Sequence, residues 1–324
     1  MHCPRLDHFV RFNPNGTVSR CGHMVTPTQY SSLSQLDNSS WLEYVKNKFA
    51  KDQWPNECTR CRQTEEVNGT SIRLNAIEFD KKQTVQDYLT VGGVLDNVCN
   101  SACQTCGEHL STKIGSLKSK QYITIDNTSN FWNLPQDRIV HLDINGGEPS
   151  ASKNYKQILS KLPKNVQSIR LNTNCSTVMV ELLDIVERGI DVTVTVSFDG
   201  VGQVHDYVRW PILWDKFLKN LMIYKTMPVN LNLWTTVSAL NIGNLNEIFE
   251  FVQQNGFDHS WAFLNHPSQL NVEYANSFTI PAKEKLLNRA IADRVAIKEN
   301  NQSAMDAYIA EQDALRNINI NNYL

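Results

Sequence analysis

The chain has no apolar run of membrane-spanning length, which excludes a spanning helix. It has almost no charge imbalance: 31 basic against 33 acidic residues leave a net charge of −2, so no broad electrostatic field for nucleic acid is implied. Its start is no signal peptide, because Met1-His2-Cys3-Pro4-Arg5 is followed by no apolar stretch. Internal repeats and low-complexity segments are missing too. What remains is an ordinary globular composition: 324 residues, 41% hydrophobic and 20% charged, enough for one large domain and a small one. The expected setting is cytoplasmic, with neither membrane nor nucleic acid as partner. In that setting the eight cysteines read as metal ligands rather than disulfides. The sequons at Asn38, Asn68, Asn127 and Asn301 read as chance matches.

Three of the cysteines, Cys99, Cys103 and Cys106, form a C-x3-C-x2-C pattern in Cys99-Asn100-Ser101-Ala102-Cys103-Gln104-Thr105-Cys106-Gly107. Thiolates are soft ligands and hold iron–sulfur clusters well. Three cysteines on a cubane of four irons leave one iron open to a substrate or cofactor. A zinc site can use similar spacing. Further on, Leu142-Asp143-Ile144-Asn145-Gly146-Gly147-Glu148-Pro149 reads as a strand running into a loop. Gly146 and Gly147 let backbone approach a ligand without a Cβ clash. Glu148 would bring a carboxylate to it; a tight turn with a solvated Glu148 is the plainer reading.

Residues 1–80 show weak periodicity and much turn chemistry, at Pro4, Asn13-Pro14-Asn15-Gly16, Pro27 and Trp54-Pro55-Asn56. One amphipathic helix is expected near 41–49. A region with so little apolar core needs a staple, and Cys3, Cys21, Cys58 and Cys61 on a metal would supply one. That metal is an iron–sulfur cluster or a four-cysteine zinc. From residue 85, strands alternate with helices. Strands are expected over 88–98, 138–144, 166–171, 191–197, 229–237 and 257–264. Helices are expected over 107–119, 152–162, 178–188, 212–225 and 245–255, the last capped by Gly256. Such alternation argues for parallel βα units. Six of them suggest an open three-quarter barrel, with its site at the strands' C-terminal ends. A last helix is expected over 281–316, with Lys283, Glu284, Lys285, Arg289, Asp293 and Arg294 as a solvated face.

The cysteine triplet followed by Gly-Gly-Glu-Pro resembles the radical S-adenosylmethionine (SAM) superfamily. The resemblance covers roughly residues 1–265. It implies an α/β fold built on a partial (β/α)6 barrel, with SAM chelating the open iron of a 4Fe-4S cluster on Cys99, Cys103 and Cys106. Gly146, Gly147, Glu148 and Pro149 would then bind the methionine amine. Ser197-Phe198-Asp199-Gly200 and His205-Asp206-Tyr207-Val208-Arg209 resemble a further segment of such enzymes. There Ser197 would touch the SAM ribose or carboxylate, Asp199 would be a ligand contact or proton acceptor, and Arg209 would pair with the methionine carboxylate. The plain alternative is a turn at Asp199 and a helix cap at Arg209. Asn172-Thr173-Asn174-Cys175 stands where relatives often carry Asn-Thr-Asn-Gly, so Asn174 would touch SAM. Cys175 replaces the glycine, as a buried small hydrophobe, a spare ligand or a hydrogen-atom donor. Thr235, Thr236 and Asn241 could line the adenosine pocket, and His266 is a substrate-facing or a structural histidine. Thr105 departs from the aromatic residue usual before the last cysteine.

Cys3, the Gly16-x4-Cys21 hairpin and the Cys58-x2-Cys61 pair resemble the auxiliary 4Fe-4S module called twitch, here ahead of the barrel instead of after it. The implied organisation is a twitch-like module over 1–84, the barrel over 85–280 and a C-terminal helical extension over 281–324. The implied activity is reductive cleavage of SAM to a 5′-deoxyadenosyl radical that abstracts a hydrogen atom from substrate, with the auxiliary cluster as electron conduit. The substrate is expected to be a peptide or protein side chain, though a leader-binding domain is not expected ahead of Cys3. A small metabolite or nucleotide-derived substrate is the second choice. Flavodoxin or ferredoxin would be the reductant. Outside this class stand a non-catalytic two-cluster electron carrier and a zinc-stapled binding module.

Overall fold

The computed structural model describes residues 1–24, 28–119, 121–272 and 302–324. One eight-stranded sheet carries the fold, in the order β2-β1-β3-β4-β5-β6-β7-β8. Its strands are β1 (Phe9–Phe12), β2 (Val18–Ser19), β3 (Leu89–Val94), β4 (Ile139–Asn145), β5 (Ser168–Thr173), β6 (Asp191–Ser197), β7 (Asn230–Val237) and β8 (Asp258–Phe263). Among the described residues every neighbouring pair from β1 to β8 is parallel, and β1 with β2 is antiparallel. The sheet is open, running from β2 at one edge to β8 at the other.

The six strands expected after residue 85 are β3 to β8, in the expected order. A seventh parallel strand, β1, precedes them. Its Phe9-Val10-Arg11-Phe12 run is too short and too closely flanked by turn residues to read as a strand, yet it pairs with Thr90–Gly93 of β3. The hairpin to β2 closes with Arg11 opposite Ser19. Residues 1–84 therefore supply one edge of the main sheet.

Side chains alternate across a strand, and that alternation divides the sheet. Val192, Val194 and Val196 of β6 are buried in the apolar core with Ile169, Leu171, Leu233 and Val237. Over that face lie the helices Lys153–Ser160, Leu182–Glu187, Trp214–Thr226 and Leu245–Asn255. Tyr155, Ile158, Phe217, Leu221 and Ile248 join the same core. Gly256 ends the last of these helices with a φ of 63°. The opposite face is polar. Arg170, Asn172, Thr195, Ser197, Asn232, Trp234 and Ser260 line a chamber of about 400 Å³ there, closed from the other side by Arg60, Cys61, Thr64, Ser71 and Ile72.

The amphipathic helix of the N-terminal region is Ser40–Ala50, with Ser39 capping it and Leu42, Val45 and Phe49 buried. These three form a small satellite core with Leu6, Cys21 and Met24. The C-terminal helix runs Gln302–Arg316; the rest of the 281–316 expectation lies outside the described residues. Among the described residues no helix is long and apolar enough to cross a membrane.

Candidate active site

The cysteine triplet sits on the loop that follows β3, at the C-terminal end of the parallel strands. The loop is anchored residue by residue. Asp96 Oδ1 accepts from Val98 N at 3.1 Å, and Cys99 N donates to Thr112 Oγ1 at 3.2 Å. Ser111 Oγ donates to Ser101 O at 2.6 Å. The amides of Ala102 and Gln104 donate to Trp210 O and Val208 O, at 2.8 and 2.9 Å. The three thiols lie within electrostatic reach of one another. Burial pushes Cys99 up to about 12, with Cys103 adding to the rise. Burial likewise pushes Cys106 up to about 12, again with Cys103, and raises fully buried Cys103. Arg209 opposes the rise at Cys103 and Cys106. Such a set is protonated when empty and must release protons to take a metal.

The Gly-Gly-Glu-Pro loop lies directly against this one. Glu148 N donates to Val98 O at 2.7 Å. A Cβ on Gly147 would stand 2.3 Å from Val98 O, and one on Gly146, whose φ is +96°, would stand 2.8 Å from Asp96 O. Both glycines are thus required by the close passage of the two loops. The Glu148 side chain is 1% exposed, so the solvated-turn reading does not hold. Its Oε1 accepts from Ser150 N, Ser150 Oγ and Thr173 Oγ1, at 3.1, 2.7 and 2.8 Å. Its Oε2 accepts from Asn174 N at 2.6 Å. Burial raises its pKa while these donors work to lower it. Oε2 keeps acceptor capacity beyond its one bond.

Asn174, held by that carboxylate, reaches back to the cysteine loop. Its Nδ2 donates to Asn100 Oδ1 at 2.8 Å and to Ser101 Oγ at 2.7 Å. Cys175 follows with a φ of 60°, the left-handed region in which glycine is easiest. Its thiol lies in the apolar core, 3.9 Å from Phe217 O. That placement fits the buried-hydrophobe reading.

Beyond β6, Asp199 is 1% exposed. It accepts from Thr236 N at 2.7 Å and from Arg209 Nη1 at 3.2 Å. Burial would lower the pKa of Arg209, but negative charge on Cys103, when it is a thiolate, and then on Asp199 overrides this and raises it. Arg209 Nε is buried without a partner among the described residues. A guanidinium with an unused donor beside three thiols suits a bound carboxylate. Ser197 lines the polar chamber. Thr235 and Asn241 are both fully buried. Thr235 Oγ1 donates to Phe198 O at 2.6 Å, and Asn241 Nδ2 donates to Asp199 O at 2.9 Å. The pleat turns Thr235 to the helix-covered face with Leu233 and Val237. His266 is exposed.

The second cysteine set is also brought together. Cys3, Cys21, Cys58 and Cys61 line one small cavity with Leu6, Phe49, Trp54 and Ile72. Burial, then Cys21, pushes Cys3 up to about 12; burial, then Cys21, takes Cys61 to about 11; burial, then Cys3, raises Cys58. His23 N donates to Cys21 Sγ at 3.3 Å, and Arg5 opposes the rise at Cys3 and Cys61. All eight cysteines are free thiols. Among the described residues no three His, Cys, Asp or Glu side chains close on a single metal-ion position.

One residue of the site has no signal in the sequence. Arg316, at the far end of the chain, is 4% exposed and donates from Nε to Ala102 O at 2.8 Å.

No protein-family model matches the chain, and no curated protein matches it. Solved structures do. Streptococcus suis SuiB bound to S-adenosylmethionine aligns with 89% of this chain and 69% of its own, at 14% identity and a TM-score of 0.46. SuiB bound to the precursor peptide SuiA aligns with 97% of this chain and 70% of its own, at 12% identity and a TM-score of 0.43. Histidine-tagged anSMEcpe with bound AdoMet aligns with 55% of this chain and 52% of its own, at 16% identity and a TM-score of 0.41. The chain thus spans about half the length of anSMEcpe. Two of these three structures are described with S-adenosylmethionine bound. At this level of likeness no residue is matched to a residue.

Proposed function

We propose that the chain is a radical SAM enzyme, with Cys99, Cys103 and Cys106 as ligands of a 4Fe-4S cluster that leaves one iron to SAM. The observation that carries this reading is the lacing of one loop. Three thiols, the Gly-Gly-Glu-Pro turn, Asn174 and the Asp199–Arg209 pair meet beyond the ends of parallel strands β3, β4, β5 and β6. An electron carrier needs neither that turn nor an unused guanidinium donor. When bound, the cluster and SAM would supply a 5′-deoxyadenosyl radical for hydrogen-atom abstraction from substrate.

The chain's own residues bind and orient. Arg209 receives the methionine carboxylate, with Asp199 fixing its fork. Gly146 and Gly147 give backbone access, Pro149 ends the turn, and the free lone pair of Glu148 Oε2 takes the methionine amine. Asn174 and Ser197 border the rest of SAM. The substrate occupies the polar chamber, which carries Ser197 on one wall and Cys61 on the other. At about 400 Å³ it holds a side chain or a small molecule. A peptide or protein side chain is the preferred occupant; a small metabolite is the second. Cys3, Cys21, Cys58 and Cys61 would hold an auxiliary 4Fe-4S cluster, which would supply an electron path to or from the substrate, with flavodoxin or ferredoxin as the reductant. In this reading residues 1–84 are the auxiliary module, 85–280 the barrel and 281–324 the helical extension.

The test is anaerobic purification and reconstitution. Brown protein with about eight irons per chain, by four irons for each cysteine set, and release of 5′-deoxyadenosine from SAM under reduction are expected. Colourless protein containing zinc and no iron would leave the binding-module reading standing instead.

A further inference from the structure

We propose that Arg316 is a positioning residue for the Cys99–Cys106 loop and the fixed cation of the cluster bound there; the second half of this rests on the radical SAM reading. Arg316 closes the C-terminal helix Gln302–Arg316 and is separated from the loop by more than two hundred residues of chain. Its Nε donates to Ala102 O at 2.8 Å and its Nη2 to Cys103 O at 3.3 Å. Its Nη1 donates to Gln312 O and Oε1, at 2.9 and 2.8 Å, which fixes the fork from behind. Arg316 is 4% exposed; among the described residues its hydrogen bonds go to carbonyls and an amide oxygen, with Asp313 acting on it only through its field. A buried charge is costly unless paired, and three ligating thiolates would supply the pairing.

The loop is therefore gripped from both sides. The amides of Ala102 and Gln104 are held by Trp210 O and Val208 O. The carbonyls of Ala102 and Cys103 are held by Arg316. Both grips belong to one packed unit. Tyr207 OH donates to Asp313 Oδ1 at 2.8 Å, Ile320 N donates to Asp313 Oδ2 at 2.7 Å, and Tyr207, Val208 and Ile309 share one apolar cluster. The helix end thus sets where the cysteine backbone sits, and a cation beside the cluster favours its reduced form.

The test uses the full chain with R316Q and R316K. Hydrogen exchange at the amides of Ala102 and Gln104, read on the metal-free protein, should rise at least several-fold in R316Q and also in R316K, whose ammonium cannot fork two carbonyls. In reconstituted protein, the cluster signal that the C99A/C103A/C106A variant lacks should move in R316Q to a reduction equilibrium roughly tenfold less favourable, or about 59 mV more negative for one electron. In R316K, which keeps the charge, it should stay near the wild-type potential. Wild-type exchange and wild-type potential in R316Q would overturn the proposal. If R316Q does not fold, exchange in R316K decides positioning: no rise there overturns it. A wild-type chain that takes up no iron would sink the radical SAM reading and the electrostatic half with it, while the exchange comparison would still decide the positioning half.

Discussion

Replacing Glu148 by alanine tests how the site is built. The carboxylate is buried and takes four donors: the amides of Ser150 and Asn174 and the hydroxyls of Ser150 and Thr173. Hydroxyls can turn to other acceptors, but the two amides cannot. Each buried donor left unmade costs about 1–3 kcal/mol, so the variant should lose roughly 2–6 kcal/mol. With an unfolding entropy near 2.1 cal/mol/K per residue, that is a Tm lower by roughly 3–9 °C for a chain of this length. Asn174 would also be freed, and with it the clasp on Asn100 and Ser101. SAM affinity should fall at least about tenfold, from the lost charge-assisted bond to the amine. Glu148→Gln separates the two effects. Its oxygen can still face Ser150 and Thr173, but its NH2 then meets the Asn174 amide donor to donor. It should lie between wild type and alanine in Tm, while losing SAM affinity as fully as alanine does. The assays are thermal unfolding of the metal-free chain and titration of the reconstituted protein with SAM. A wild-type Tm in Glu148→Ala would refute the clasp, and wild-type SAM affinity in both variants would remove Glu148 from the cofactor site.

Four further outcomes are expected. Triple replacement of Cys99, Cys103 and Cys106 by alanine should leave about half the iron, as iron analysis would show; full retention would count against a separate cluster there. Gly147→Ala places a methyl 2.3 Å from Val98 O, so the loops must part and SAM cleavage should fall at least about tenfold, measured as 5′-deoxyadenosine; wild-type rates would disprove the close passage. His205 is fully buried with both ring nitrogens unpartnered among the described residues, and burial, then Arg209, lowers its pKa to about 3. It folds neutral, so stability is full above about pH 6.5 and falls as pH drops toward 3, by up to roughly 4 kcal/mol; His205→Leu should shift acid unfolding to lower pH, and an unchanged midpoint would contradict this. In Cys61→Ala, product formation should stop while SAM cleavage at the other cluster continues, read by quantifying both; full product in a variant shown to lack the auxiliary iron would make that cluster a structural staple only.

How much of this was legible depends on whether a feature is set by neighbours in sequence. The Val-Thr-Val-Thr-Val run of β6 has period two, so its strand is readable to the residue. The same alternation sends Thr195 and Ser197 into the chamber and the valines into the core. The Gly-Gly-Glu-Pro loop was visible because two adjacent glycines declare a close approach. What they approach, Val98 O and Asp96 O, belongs to another loop and is not written locally. Strand β1 was hidden for the same reason: four residues between turn signals become a strand only when β3, far along the chain, offers its edge. Thr235 and Asn241 lie near the right strand end, but the pleat and the Asp199 network use them internally. Arg316 is the extreme case. A basic residue in the last turn of a helix has a complete local explanation, in the helix dipole and solvent. Only the packing of that helix against the segment around Tyr207 turns it inward, onto the carbonyls of Ala102 and Cys103. Residue types that ligate or need special backbone angles can therefore be named from sequence, whereas residues that hold those ligands in place act across the fold and become visible only in three dimensions.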